Sequence, residues 1–220
     1  MYAMAGLADD WAENRQTCVD VLCGYLRMPY EPDPGQDTPA AQRLAFQAIR
    51  EVRHTVIRVI AAHLKRDAAV SWQGLNFDFT GVVFDGGDFY GACFSGGEIV
   101  FNAAVFSGAG VSFIGARFCG ARFSFSGARF SGARVAFVRA QFSWGEVSFI
   151  GARFSGGEVT FGYARFSGGR VGFFGAEFSG GEVDFSHVED WSFPPIFPLG
   201  RHPQIDTPPS SVKLPDSSGA

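Results

Sequence analysis

The chain has 220 residues, enough for one or two domains, and its formal net charge of −4 is too small to suggest a nucleic-acid-binding protein or an acidic tail. Its 25 phenylalanines and 29 glycines far exceed ordinary usage, which indicates a repetitive sequence. Residues 1–15 lack the basic start of a signal peptide, and the most apolar stretch, residues 56–64, is too short and too charged to cross a bilayer. We therefore expect a cytoplasmic protein.

Residues 1–69 have the patterns of a small helical domain. Residues 7–30 read as one helix, with acidic residues near the start and Arg27 near the end, as the helix dipole favours. Prolines make residues 30–39 a loop. The next segment predicts a helix with an apolar stripe and an opposite basic face that we interpret as solvated. The stripe consists of Ile49, Val52, Val56, Val59, Ile60 and Leu64, and the basic face of Arg43, Arg50, Arg53, Arg58 and Lys65.

Two further features of the sequence are the start of the chain and its four cysteines. No capping residue precedes Tyr2, which suggests that the natural domain begins before Met1. The four cysteines show no CxxC spacing and no histidine at zinc-binding distance, so we interpret them as reduced and mostly buried thiols. They are Cys18, Cys23, Cys93 and Cys119.

From residue 70 onward phenylalanine recurs at fixed spacing. It first returns every five residues, and from Phe89 to Asp184 the sequence divides into eight units of twelve residues. Positions one and six of every unit are phenylalanine, position four is alanine, and position seven is serine except at Cys119. Such self-similarity is the signature of a repeat architecture, in which stacked coils bury side chains that one unit cannot bury alone.

The exceptions to the pattern indicate how many residues make one coil. Position three is small in alternate units, whereas the units between them carry Gly115, Arg139 and Tyr163, followed by His187. Position ten alternates in charge at steps of twenty-four residues, an order that a ladder of stacked coils favours. That column is Glu98, Arg122, Glu146 and Arg170. We therefore favour a coil of twenty-four residues with four sides over one of twelve residues, and we expect about four coils.

The segments "FTGVVFDGGDFYGACFSGGEI" and "GARFSGGEVS" resemble the pentapeptide-repeat family. The helical region resembles that of a bacterial subset whose longer members often carry membrane helices ahead of it. The resemblance implies a right-handed quadrilateral β-helix, with the step of five and seven residues implying a larger, partly flattened coil. We thus predict a mainly β fold in which a small α-helical domain, residues 1–69, precedes a β-solenoid, residues 70–190.

No motif in the sequence indicates a catalytic or metal-binding site. His54 and His63 are nine residues apart and do not share a helical face, and no nucleophile elbow, phosphate-binding loop or zinc-protease motif occurs. Repeat glutamates and arginines would stand in outward columns on a convex rod without a cleft. We therefore predict no enzymatic activity, no cofactor and no metal, and we expect a structural or protein-interaction module with unidentified protein partners.

Two alternatives remain from other classes of function. Some pentapeptide-repeat proteins act on topoisomerases as DNA mimics, which calls for a strongly acidic rod, but five arginines and no acidic residue occupy residues 117–139. Ice binding calls for ranks of outward threonines, and the eight units contain only Thr160. We disfavour the first alternative, expect no nucleic acid as partner, and set the second aside.

Two more regions are predicted to have defined roles, the segment that follows the repeat and one column of exposed side chains. In residues 191–220, we expect Trp191, Phe193, Ile196 and Phe197 to cover the open end of the coil, and the Pro/Ser-rich tail from about residue 201 to be disordered. In a coil of twenty-four residues, position three of the units forms two columns on opposite sides of the solenoid. One of these columns holds only Gly or Ala, so larger side chains are tolerated on the other side only. The candidate interaction patch there consists of Arg139, Tyr163, His187, Ile114 and Val138.

Overall fold

The computed structural model describes residues 1–31, 33–197 and 210–215. It begins with three helices, α1 (Tyr2–Asp10), α2 (Arg15–Arg27) and α3 (Ala40–His63), with a short 3-10 turn at Ala12–Asn14. The helix predicted over residues 7–30 is therefore interrupted, because Trp11 takes the non-helical angles φ −114° and ψ 75°. A β-solenoid of about four turns follows, which confirms the predicted mainly β fold with a helical region ahead of it.

The solenoid is built from short parallel strands that form two sheets. The first sheet contains β1 (Phe77–Asp78), β4 (Cys93–Phe94), β5 (Glu98–Val100), β8 (Arg117–Ser124), β10 (Gln141–Ser148), β12 (Arg165–Phe166) and β13 (Arg170–Gly172). The second contains β2 (Val83–Phe84), β3 (Gly87–Asp88), β6 (Val105–Phe106), β7 (Val111–Ser112), β9 (Arg129–Ala136), β11 (Arg153–Thr160), β14 (Glu177–Phe178), β15 (Glu182–Asp184) and β16 (Val212–Lys213). In the middle coils the two sides of a unit merge into one eight-residue strand, which flattens the coil.

One coil consists of two twelve-residue units in the body of the solenoid. Gln141 pairs with Arg117 in the first sheet, and Arg153 pairs with Arg129 in the second, so paired residues lie two units apart except where the register shifts locally. The first coil is shorter by two residues, since Phe77 pairs with Ile99 and not with Phe101. The difference follows from the spacing between successive inward phenylalanines in the sequence. This spacing is five, five, five and seven residues in the first coil, and five, seven, five and seven residues in later coils.

Four columns of phenylalanine rings fill the interior. In one column Phe154 is 1% exposed, and its ring centroid lies 4.7 Å from that of Phe130 and 4.9 Å from that of Phe178, with ring planes within 5° of parallel. Position eleven adds two inner columns, which run through Val147 and Val159 in successive half-coils. Parallel rings one coil apart stack, and the rings of neighbouring columns meet at a tilt, both of which are favourable aromatic geometries.

The helices close the first end of the solenoid and share one apolar core with it. The prediction for α3 holds for the second half of its apolar stripe, where Val56 and Ile60 are fully buried, but Ile49 and Val52 are exposed. The prediction that Arg53 lies on the solvated face is wrong, since this side chain is 3% exposed.

Arg53 is buried because backbone carbonyls satisfy its guanidinium. Its Nη1 donates to the Leu26 carbonyl oxygen at 2.7 Å near the end of α2, and its Nη2 donates to that of Val83 at 3.0 Å in the first coil. The guanidinium also lies 4.2 Å from the centroid of the Tyr30 ring. The arginine thus ties α2, α3 and the solenoid together.

The chain also covers the other end of the solenoid. Phe197 stacks on Phe173 with a centroid distance of 4.8 Å, and Trp191 packs edge-on against Phe166 at 5.4 Å, as predicted. The Phe193 side chain is instead 55% exposed.

The backbone contributes to this end as much as the side chains do. Ile196 leaves 43% of its side chain exposed, but its carbonyl oxygen accepts a hydrogen bond from the amide of Phe173, which covers the sheet edge. The tail was predicted to be disordered, but β16 pairs with β15, placing Val212 beside Val183. Residues 201–209 and 216–220 of that predicted tail lie outside the described residues.

Candidate functional site

Each corner of the solenoid is a four-residue turn over positions one to four of a unit. At one such corner the amide of Ala140 donates to the Phe137 carbonyl oxygen at 3.0 Å, and Arg139, the third residue, has φ of +57°. A left-handed third residue is the φ signature of a type II turn, where glycine is the usual choice. Most units do carry glycine there, as at Gly115 and Gly151 with φ of +65° and +62°.

Three corners place another residue in this left-handed conformation. They are Ala103 with φ of +53°, Arg139 with +57° and Tyr163 with +56°. The left-handed region costs an L-residue with a Cβ atom about 1–2 kcal/mol relative to right-handed backbone. Arg139 and Tyr163 lie on the same corner in successive coils, so this corner carries the strain twice.

Space does not explain why one corner has large side chains and the other does not. A Cβ atom built on Gly115 would meet nothing within 4 Å, and the same is true of Gly127, Gly151 and Gly175 at the opposite corner. A Cβ atom therefore has room at both corners, and the expectation that only one side tolerates larger residues stays a prediction. The constraint on this position is its backbone conformation, and it applies to both corners.

Arg139 and Tyr163 lie one coil apart with exposed side chains. The amide of Arg139 donates to the Gly162 carbonyl oxygen at 2.8 Å, and the guanidinium carbon of Arg139 lies 6.0 Å from the centroid of the Tyr163 ring. The Tyr163 side chain is 57% exposed. An arginine at this distance from an exposed ring is at the outer limit of a cation–π contact, so the pair is only weakly held together.

His187 continues the same column but differs in its surroundings. Its carbonyl oxygen accepts a hydrogen bond of 2.6 Å from the amide of Tyr163, so it lies in the next coil. Its imidazole Nδ1 lies 2.8 Å from the hydroxyl oxygen of Ser186, and its side chain is exposed. It is not among the residues with left-handed φ.

The aliphatic part of the patch lies beside this column. Ile114 and Val138 occupy position two in successive coils and are half-buried. Sequence reasoning missed Tyr90, which lies one coil before Ile114, is 59% exposed, and has its ring centroid 4.9 Å from Nζ of Lys65. The spacing of one coil, two units of the repeat, was sufficient to find it. We call these residues the corner ridge: Tyr90, Ile114, Val138, Arg139, Tyr163 and His187.

The opposite corner carries a smaller apolar surface that sequence reasoning also missed. Ile150 and Phe174 lie one coil apart and are 50% and 44% exposed, and with Ile196 they line a shallow cavity of about 90 Å³. The two corner turns that carry Ile150 and Phe174 have glycine as the third residue, at Gly151 and Gly175. This surface therefore lacks the backbone strain of the corner ridge.

The charged columns on the walls are neutralised in part by ion pairs between coils. The predicted column stands in register, with Glu146 beside Arg122 and Arg170. In the neighbouring sheet Nε of Arg134 lies 3.3 Å from a carboxylate oxygen of Glu158, with both side chains largely in solvent. Exposed pairs of this kind contribute little to stability, about 0–1 kcal/mol each.

A polar cluster at the helical end has a structural role. The carboxylate of Asp85 accepts hydrogen bonds from Arg50 and Tyr30 at 2.8 Å and lies 2.9 Å from Nε2 of His54. Burial alone would raise the pKa of Asp85, but these three partners lower it below its usual value, so the carboxylate stays ionised. The cluster joins α3 and the loop before it to the first coil.

No family model, curated protein or solved structure matches the chain in comparisons with known proteins. In the part of the chain that the structure describes, no helix combines the length and apolarity needed to cross a bilayer. Within residues 1–31, 33–197 and 210–215, no three histidine, cysteine, aspartate or glutamate side chains are placed to share a metal ion.

Proposed function

We propose that the chain is a non-enzymatic protein-interaction module whose solenoid presents the corner ridge to a partner protein. The observation that carries this proposal is the left-handed backbone at Arg139 and Tyr163. If stability of the fold alone determined the residue at such a position, glycine would be favoured, because glycine avoids the cost of about 1–2 kcal/mol. Strain held at exposed side chains supports a role for those side chains outside the fold.

The chemistry of the corner ridge suits a protein surface. Arginine and tyrosine are enriched at the centres of protein interfaces, and Arg139 and Tyr163 have half-buried aliphatic neighbours in Ile114 and Val138. Successive coils are about 4.8 Å apart, so the ridge from Tyr90 to His187 extends about 19 Å. We expect a folded partner with a shallow groove for the Tyr163 ring and a carboxylate that accepts from Arg139.

The solenoid is a rigid support for this ridge. Backbone hydrogen bonds join each corner to the next coil, as from Arg139 to Gly162 and from Tyr163 to His187. The adjacent interior position is the buried ring of Phe161, which stacks 4.9 Å from Phe137. Because the backbone is already ordered, binding loses little conformational entropy beyond that of the exposed side chains.

The DNA-mimic alternative gains no support from the charges on the walls. Mimicry needs a continuous acidic surface, whereas Arg134, Arg153 and Arg165 stand exposed beside glutamates. Walls of mixed charge therefore favour a partner protein that binds the corner ridge over a DNA-binding protein that recognises a phosphate-like pattern of negative charge.

The test is partner capture from a lysate of the source cells by the immobilised chain, quantified by mass spectrometry. Tyr163→Gly removes the ring from the ridge, and Ala103→Gly is the matched control because it changes a left-handed residue at the opposite corner. We expect Tyr163→Gly to lower capture of the partner about tenfold or more, since truncation of an interface hot spot costs about 2 kcal/mol or more. Ala103→Gly should capture as much as the original chain.

Equal capture by the Tyr163→Gly and Ala103→Gly chains would refute a role for the corner ridge. Loss of capture by both variants would also contradict the proposal, because the effect would then follow backbone strain and not the Tyr163 ring.

A further inference from the structure

Two cysteines, one of which departs from the repeat, lie in contact on the outer wall of the solenoid. Cys119 replaces the serine of position seven, and Cys93 occupies position five, where later units carry Val105 or a charged or amide side chain. Their Sγ atoms are 3.7 Å apart in adjacent coils. The one thiol that replaces the usual serine therefore meets a second thiol in the adjacent coil, and the two form a dithiol site.

The two sulfurs have different environments. Cys93 is 7% exposed, and its amide donates to the Leu64 carbonyl oxygen at 2.7 Å, directly after α3. Burial raises the pKa of Cys93 to about 11, and the contact with Cys119 adds to this shift, so Cys93 remains a thiol at neutral pH. Cys119 is half-buried, with Sγ 3.6 Å from the Phe94 carbonyl oxygen. An oxidant in solvent therefore reaches Cys119 first.

We propose that Cys93 and Cys119 form a reversible disulfide across the first two coils when the chain meets a peroxide. With hydrogen peroxide, the Cys119 thiol loses its proton as its sulfur attacks one peroxide oxygen, the O–O bond breaks, the released hydroxide takes up that proton to leave as water, and Cys119 becomes a sulfenic acid. The Cys93 sulfur then attacks the Cys119 sulfur, the S–O bond breaks, and water leaves with the Cys93 proton. In total two thiols lose two electrons and two protons, and one peroxide becomes two waters.

The bond requires movement of the backbone as well as rotation of the side chains, because Cys93 stands opposite Arg117 and only diagonally across from Cys119. Sulfur atoms in a disulfide are about 2.05 Å apart, so the two sulfurs must approach by about 1.7 Å. Rotation of both side chains can supply part of this approach. The strand at Cys119 is also irregular, because its register against β10 shifts at the pairing of Cys119 with Trp144. The bond would attach the first coil, with its covering helices, to the rest of the stack.

The experiment treats the purified full chain with hydrogen peroxide and maps its disulfides by peptide mass spectrometry. We expect a Cys93–Cys119 disulfide, loss of two free thiols per chain, and a melting temperature raised by roughly 5–10 °C, because the crosslink closes a long loop of the unfolded chain. Dithiothreitol should reverse the shift.

Cys119→Ser is the matched control because serine is the residue that the other units carry at this position. This variant should fold, form no Cys93 disulfide within the chain, and show no rise in melting temperature after peroxide. Cys119 oxidised to sulfinic acid, or a disulfide between two chains, would overturn the proposal. A Cys93–Cys119 disulfide that leaves the melting temperature unchanged would contradict the attachment of the first coil.

Discussion

Replacing Phe154 with alanine is expected to lower the free energy of unfolding by about 3–5 kcal/mol, the usual cost of removing a core phenylalanine. Phe154 is 1% exposed, and its ring is stacked between Phe130 and Phe178. Its neighbours are held by the sheets and cannot collapse into the space, so a cavity remains. Since small folded proteins are stable by about 5–15 kcal/mol, this loss is a large share of the total. Equilibrium unfolding in urea measures it.

Phe193→Ala is the matched control for this prediction. Phe193 is 55% exposed at the covered end, so its removal should change the free energy of unfolding by less than about 0.5 kcal/mol. An unchanged urea midpoint for Phe154→Ala would show that the phenylalanine columns do not form the core.

Gly157→Ala is expected to cost about 1.5–4 kcal/mol in the free energy of unfolding. Gly157 has φ of +76°, and an added Cβ atom would lie 2.3 Å from the Ala133 carbonyl oxygen of the preceding coil. The left-handed backbone contributes about 0.5–1 kcal/mol after the lower backbone entropy of alanine is counted, and the displaced strand roughly a further 1–3 kcal/mol. The neighbouring atom is backbone within a sheet, so it cannot turn aside as a flexible side chain could.

Gly151→Ala separates these two contributions. Gly151 also has a left-handed φ, of +62°, but an added Cβ atom would meet nothing within 4 Å. We expect this variant to lose only about 0.5–1 kcal/mol, which is the cost of the left-handed backbone less the gain from alanine's lower backbone entropy in the unfolded chain. Thermal or urea unfolding of both variants makes the comparison, and equal losses would contradict the close approach of adjacent coils at Gly157.

The periodic part of the fold could be predicted because every repeat unit buries the same positions. Phenylalanine at positions one and six specified the inner columns, and the exceptions at Arg139 and Tyr163 pointed to a coil of two units. The shorter first coil was also present in the sequence, as the step of five residues from Phe79 to Phe94. Repetition makes such inferences reliable because the same assignment must fit every unit, so a wrong register would conflict with the pattern in all of them.

The departures from prediction involve contacts between distant segments. A helical pattern assigned Arg53 to the solvated face, and only the fold brings the Leu26 and Val83 carbonyl oxygens to its guanidinium. A Pro/Ser-rich composition suggested disorder, but the open edge of β15 provides a pairing partner for Val212. The candidate patch was found by its column, whereas its strained backbone follows from the turn geometry.

The proposal that the corner ridge is kept for binding depends on strain at Tyr163, and the free energy of unfolding of Tyr163→Gly tests it most directly. Glycine relieves the left-handed strain of about 1–2 kcal/mol and loses part of that gain through its greater backbone entropy in the unfolded chain. Ala103→Gly at the opposite corner provides the same measurement without the ring. The account predicts that both variants are more stable than the original chain, by about 0.5–1 kcal/mol. A Tyr163→Gly chain that is less stable would show that the ring supports the fold, and would contradict the account.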